Sequence, residues 1–482
     1  MTDLTTRSIH ELAKALSRGD VSSRELTEAY LESIHRKDPS LGAYLTVTPE
    51  DALLAADESD ARRAKGDSRG ILDDIPFAVK DNLCTKGIRT TCGSRFLENY
   101  VPPYDATAIL RLKNAGAVLL GKLNMDEFGM GSSTEYSAFH LTKNPLDPSR
   151  VAGGSSGGSA AAVCASLTPF SLGSDTGGSV RQPAAFCGLV GIKPTYGTVS
   201  RYGLVAYASS LDQIGTITKT PLDGATVLQA IAGADPMDAT TLRDATPTYS
   251  SQLSASLGGM RIGVCRRLPD DPYVSADVKN ALTVAAKRYE ELGASLVEVN
   301  LPAMESALAA YYVLSAAEAS SNLARFDGVR FGKRAVSDGG IDELYLRSRS
   351  EGFGTEVKRR ILLGTFALSA GYAEQYYENA CRARQRLMAD FDAVFSACDL
   401  LLIPTAPSVA FTFGRFDGAP EEKYRQDLYT VPASLAGLPA LSLPFGTGEQ
   451  GLPVGLQLVG PRRSEPRLLG AASALMREGG AI

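Results

Sequence analysis

Short, wholly apolar runs alternate with segments whose apolar residues recur every three or four positions along most of this 482-residue chain. The runs Ile75–Val79, Ala117–Leu120, Leu189–Ile192, Ile262–Val264 and Leu400–Ile403 lack the polar–apolar alternation of a half-exposed strand. They therefore predict short strands buried on both faces. Between them, Ala106–Asn114, Ala160–Ala165, Ala276–Glu291 and Tyr372–Phe391 carry the helical rhythm. The first 65 residues read as helical throughout. Ile9, Leu12, Ala13 and Leu16 form one stripe, and Ser22 with Glu25 marks a helix start. A second stripe through Leu26, Tyr30 and Ile34 runs toward a stop at Asp38-Pro39. Ser337–Gly354 and Gly414–Glu422 have no clear period and are expected to be irregular insertions. No repeat or linker divides the chain, so the pattern predicts one large α/β domain over residues 1–482 around a mixed, mostly buried sheet.

Composition narrows the function classes. The net charge of −5 argues against a broad phosphate-binding surface, so any role with nucleic acid would need a partner chain. Seven scattered cysteines with no C-x-x-C pair argue against a zinc site or a disulfide framework and suit a reduced, cytoplasmic setting. Met1–Asp20 mixes charges and lacks the apolar centre of a signal peptide, and no apolar run approaches a membrane span. A soluble protein without a metal is expected.

The chemistry concentrates in two glycine-flanked serine turns, G-G-S-S-G-G-S at 153–159 and S-D-T-G-G-S-V-R at 174–181. Glycine-rich turns expose a hydroxyl and leave backbone N–H groups free to hold an oxyanion, as Thr176, Gly177, Gly178 and Ser179 would do here. The first turn could instead be a flexible linker or a phosphate loop. It leads directly into Ala160-Ala161-Ala162-Val163, however, and no G-K-[S/T] follows. The second could be merely a tight strand-to-helix turn, with Asp175 and Arg181 bracing it as an ion pair. Histidine is excluded as the activating base in the order Ser…Asp…His, because only His10, His35 and His140 are present and none follows either serine. Lys80 closes the run Ile75–Val79, where a buried strand would deliver it to a sheet end. A free lysine is neutral in only about one part in a thousand near pH 7.4, so burial must lower its pKa before it can act as a base. Lys122 and Lys193 are its rivals. These residues read together as a serine–lysine amide hydrolase.

The chain resembles the amidase signature family over nearly its whole length. The resemblance rests on V-A-G-G-S-S-G-G-S at 151–159, L-G-S-D-T-G-G-S-V-R-Q-P-A at 172–184, G-L-V-G-I-K-P-T-Y-G at 188–197 and S-S-L-D-Q-I-G at 209–215. It implies a single α/β/α domain with its signature core at 70–220, and a triad in place of Ser–His–Asp. In that triad Ser179 would be the nucleophile, Ser155 a relay serine following a cis peptide from Gly154, and Lys80 the terminal base. Two local departures lie outside the triad: Gly215-Thr216 where the family usually shows Gly-Pro, and Thr198 where an arginine is common.

Within the family, the stretches at 121–135, 318–332, 356–372 and 427–439 are similar to the glutaminase subunits of tRNA-dependent amidotransferases. That likeness implies glutamine as substrate, its carboxylate held by Arg360, its ammonium by Asp427, and Tyr311 lining the site. It implies no cofactor on this chain, a B subunit that carries ATP, magnesium and most contacts to tRNA, and a small C subunit. A stand-alone amidase on small or aryl amides is the alternative, and a non-catalytic scaffold of a tRNA-modifying complex the second alternative.

Overall fold

The computed structural model describes residues 4–253, 256–266 and 268–478. The first three positions of the Met1–Asp20 stretch lie outside the described residues. Eleven strands form one mixed sheet. They are β1 (Tyr44–Val47), β2 (Pro76–Lys80), β3 (Val118–Leu123), β4 (Phe170–Asp175), β5 (Val190–Lys193), β6 (Gln213–Thr218), β7 (Arg261–Cys265), β8 (Ser295–Val299), β9 (Leu400–Pro404), β10 (Ala440–Thr447) and β11 (Pro453–Val459). Their order across the sheet is β1-β3-β2-β4-β6-β5-β10-β11-β9-β7-β8.

All five apolar runs are strands of this sheet. β2 lies between β3 and β4 and pairs parallel with both, which explains why every one of its residues is buried. β4 runs antiparallel to β6, and β6 antiparallel to β5. Six strands escaped the apolar pattern. β4 and β6 carry serine, threonine, glycine and glutamine at fully buried positions. Their place in the sheet comes from ladder hydrogen bonds and neighbours rather than from hydrophobicity. Thr216, at the Gly-Pro departure, is an ordinary member of β6 opposite Leu172 and Ile192.

Helices close over the sheet. Gly157–Cys164 packs on β4, Arg181–Phe186 on β5, β10 and β11, and Ala276–Glu291 on β7 to β11. A further layer joins Met304–Asn322 to Thr355–Leu368 and Tyr377–Ala397. Ser22 caps the second helix through a reciprocal box with Glu25, as its spacing predicts. That helix does not stop at Asp38-Pro39. It runs on to Leu41, because the proline removes one donor near the end and Gly42, at φ 70°, supplies the left-handed close.

Two other expectations are corrected. Within Ser337–Gly354, residues Ile341–Gly352 form a helix. It is mostly exposed, so it shows no apolar stripe, and Asp342 and Glu343 in its first turn and the Glu343–Arg347 pair support it instead. The helix expected over Tyr372–Phe391 begins at Tyr377 and ends at Ala397. Among the described residues no helix is long and apolar enough to cross a membrane.

Candidate active site

Lys80 is the last residue of β2 and is completely buried. Its Nζ donates to Ser155 Oγ at 2.7 Å, to Ser174 Oγ at 3.0 Å and to the Ser174 carbonyl at 3.3 Å. Asn82 Nδ2 donates to the same Ser174 hydroxyl at 2.9 Å. Burial pushes the Lys80 ammonium down to about 7, against the opposing pull of the Asp126, Asp175 and Asp212 carboxylates. Lys193 is also pushed down to about 7 by burial, yet its Nζ donates to the carbonyls of Pro194 and Leu438. Lys122 pairs with Asp81 and donates to Thr90 and the Leu83 carbonyl. Of the three lysines, Lys80 is the one that reaches a serine hydroxyl.

The first glycine-rich turn is packed too tightly to be a linker. A β-carbon on Gly154 would lie 2.2 Å from an Asp126 carboxylate oxygen and 2.4 Å from the Ser133 nitrogen. Ser155 follows a cis peptide bond from Gly154, as the resemblance implies. Gly154 N–H donates to Gln182, whose amide nitrogen donates to the Ser132 carbonyl, so three segments are tied together beneath the turn.

The second turn joins β4 to the helix Arg181–Phe186. The Asp175 carboxylate accepts from the Val180 N–H and, twice, from the Arg181 guanidinium. Arg181 also reaches the Thr430 carbonyl, Gln457 and Ser434. The pair is fully buried, and the guanidinium helps hold the Asp175 carboxyl below the usual carboxylate range despite burial. Arg181→Leu would leave Asp175 as an unpaired buried charge, so it is expected to cost about 3–5 kcal/mol in denaturant unfolding. A loss under about 1 kcal/mol would show that the pair does not brace the turn.

Ser179 itself is 7 % exposed, and its Oγ has no hydrogen-bond partner among the described residues. The N–H groups of Gly177, Gly178 and Ser179 likewise meet no acceptor there. The Ser156 N–H donates to the Ser179 carbonyl at 3.2 Å, which fastens the two serine turns to each other. Thr176 Oγ1 donates to Asp212 at 2.7 Å. The arrangement therefore offers an unengaged hydroxyl, a row of unengaged N–H donors, and a lysine–serine hydrogen bond beside them.

A polar pocket wall faces this turn. Tyr311 lies against Gly177, where a β-carbon would come within 2.6 Å of its hydroxyl oxygen. Arg360 is buried, and its guanidinium lies over the rings of Tyr207, Tyr312 and Tyr424. Arg359, one position earlier, is 44 % exposed, so the helix turns Arg360 inward and Arg359 outward. Asp427 accepts from Ser132 Oγ at 2.8 Å and from the Tyr312 hydroxyl at 3.0 Å, and burial pushes its carboxyl up to about 6.

Sequence reasoning missed Ser174, Ser132, Tyr207, Tyr312, Tyr424 and Glu356. The first two stand inside the quoted motifs, L-G-S-D-T-G-G-S and G-M-G-S-S-T-E, where a polar residue among small ones was the available signal. The others had no local signal, because their partners are remote in sequence.

This geometry and the fold together define a class. The Amidase family profile matches residues 25–469, and the chain belongs to that family. Within it, the chain is 52% identical over 472 residues to the A subunit of glutamyl-tRNA(Gln) amidotransferase from Caldanaerobacter subterraneus, covering 98% of this chain and 96% of that protein. It is 55% identical to the protein of the same name from Moorella thermoacetica, over 96% of this chain and 95% of the other. The crystal structure of its namesake from Thermotoga maritima superposes with a TM-score of 0.83 at 42% identity, over 99% of this chain and 96% of that one. The peptide amidase of Stenotrophomonas maltophilia shares the fold at a TM-score of 0.83 and 32% identity, over 98% and 96% of the two chains.

Proposed function

We propose that this chain is the glutamine-hydrolysing subunit of a tRNA-dependent amidotransferase. The observation that carries the reading is the Lys80–Ser155 hydrogen bond next to an unengaged Ser179, with Arg360 and Asp427 on the facing wall. In the proposed reaction, neutral Lys80 accepts a proton through Ser155 as Ser179 Oγ bonds to the side-chain carbonyl carbon of glutamine. The N–H groups from Thr176 to Ser179 hold the oxyanion. The C–N bond breaks as the proton passes to the leaving nitrogen, ammonia departs, and water then releases glutamate from the acyl-serine.

Opposite charges in the pocket favour a zwitterionic substrate. Arg360 would take its carboxylate and Asp427 its ammonium, with Tyr311 against the oxyanion turn. The relatives' names support the remainder of the reading. Ammonia passes to a B subunit that activates mischarged Glu-tRNA(Gln) or Asp-tRNA(Asn) with ATP and magnesium, a small C subunit completes a heterotrimer, and the complex works in the cytoplasm. The present chain needs no cofactor for its own half-reaction.

The test is ammonia release from glutamine by this chain, alone and co-expressed with B and C subunits. Release that rises with the partners supports the reading; hydrolysis of simple amides but never of glutamine would overturn it in favour of a stand-alone amidase. The peptide amidase's shared fold keeps that rival specific. Arg360→Ala separates the two readings: it is expected to raise the KM for glutamine about 100-fold, with a smaller change in kcat. An unchanged KM would remove the glutamine pocket from the argument.

A further inference from the structure

We infer that Glu356 is a positioning residue for the substrate carboxylate: it holds Arg360 from the side, and Arg359 balances its charge. The inference rests on the glutamine pocket proposed above. Glu356 is buried in the first turn of the helix Thr355–Leu368, where a carboxylate also suits the helix N-terminus. Its Oε1 accepts from Arg360 Nε at 2.8 Å and from the Tyr424 hydroxyl at 2.9 Å, while its Oε2 accepts from Arg359. Arg360 Nη1 donates to the Tyr207 hydroxyl, which in turn donates to Ser315 Oγ at 3.0 Å. Arg360 Nη2 has no acceptor among the described residues. Two of the three guanidinium nitrogens are thus committed to protein groups, and three tyrosine rings lie against the planar fork. The uncommitted nitrogen is the one left to meet a carboxylate.

The charge balance follows from the helix spacing 356, 359, 360. A carboxylate bonded to Arg360 alone would cancel its charge and weaken its hold on a second carboxylate. With Arg359 on the other oxygen, the three groups sum to one positive charge. Removing Glu356 therefore has two opposite consequences. Loss of the anchor weakens substrate binding, whereas loss of a nearby negative charge strengthens it. The geometry says that the anchor dominates.

The experiment compares wild type, Glu356→Ala, Glu356→Gln and Glu356→Asp, each co-expressed with the partner subunits. The substrates are glutamine and 4-aminobutanamide, which is glutamine without its carboxylate. Glu356→Ala is expected to raise the KM for glutamine about tenfold with kcat within about twofold, and to leave turnover of 4-aminobutanamide unchanged. Glu356→Gln keeps an acceptor for Arg360 Nε and is expected to recover most of that loss. Glu356→Asp, which draws the carboxylate back by one methylene, is expected to raise KM even where the alanine variant does not fold. A KM unchanged or lowered in the alanine and aspartate variants would overturn the inference, as would equal losses on both substrates. Absence of glutamine turnover in the wild type is a different result, and it would overturn the glutaminase reading itself.

Discussion

Ser179→Ala is expected to abolish ammonia release from glutamine, lowering kcat by at least about 10⁴-fold, without measurable loss of the fold. The hydroxyl has no hydrogen-bond partner among the described residues, so its removal leaves no buried group unsatisfied. The contacts that shape the turn come from elsewhere: the Ser179 carbonyl accepts from Ser156, and Asp175 and Arg181 hold the residues on either side. A nucleophile can therefore be deleted here without touching the scaffold. Thermal unfolding should stay within about 2 °C of the wild type, a change of under about 1 kcal/mol in a chain of this size. Retained turnover in this variant would remove Ser179 from the mechanism. A large fall in unfolding temperature would mean that the hydroxyl has a structural role the geometry does not contain.

Lys80→Met is expected to have the second largest effect, about 10³–10⁴-fold in kcat, because it removes the base that draws the proton through Ser155. Its signature is in the pH profile. With the lysine held at about 7, the neutral form grows as pH rises through 7, so wild-type kcat should climb across that range and level off above it. The residual rate of Lys80→Met should lack that step. Stability should rise over a wider window. An unfolded lysine keeps its proton to about pH 10.4, whereas the buried one releases it near 7, so between these values the unfolded state binds more protons and stability rises with pH. Below 7 the full cost of the buried charge is present. Methionine fills a similar volume without that cost, so the variant is expected to unfold no earlier than the wild type at pH 6–7, measured by thermal melts across the pH series. A variant that is both inactive and markedly less stable would assign Lys80 to the core rather than to the chemistry.

The acid side carries a second transition. Asp427 must be ionised to hold an ammonium group, and burial places its carboxyl near 6. Glutamine binding should therefore weaken as pH falls through 6, seen in kcat/KM, separately from the Lys80 step in kcat.

Local features were legible in the chain. An apolar run closing on lysine became β2 with Lys80 at its end, because a central strand buried on both faces excludes polar residues until the sheet terminates. Glycine at 154 and 177 announced close contacts, since any side chain there would collide with Asp126 or Tyr311. Less legible were β4 and β6, whose buried serines and threonines are satisfied by the sheet and carry no hydrophobic signature. The helix Ile341–Gly352 was hidden for the opposite reason: it buries little, and charge pairs sustain it.

The sequence by itself determined the class of chemistry, two serine turns and a lysine with no histidine to serve them. It did so because turn geometry and strand burial are written in consecutive residues. The pocket was decided only in three dimensions. Ser132 and Asp427 are 295 positions apart and Tyr207 and Arg360 are 153 apart, and no local pattern relates them. That Arg360 points inward while Arg359 faces solvent depends on how the helix Thr355–Leu368 is rotated against Met304–Asn322. Packing between distant helices sets that rotation, and through it the charges available to a substrate.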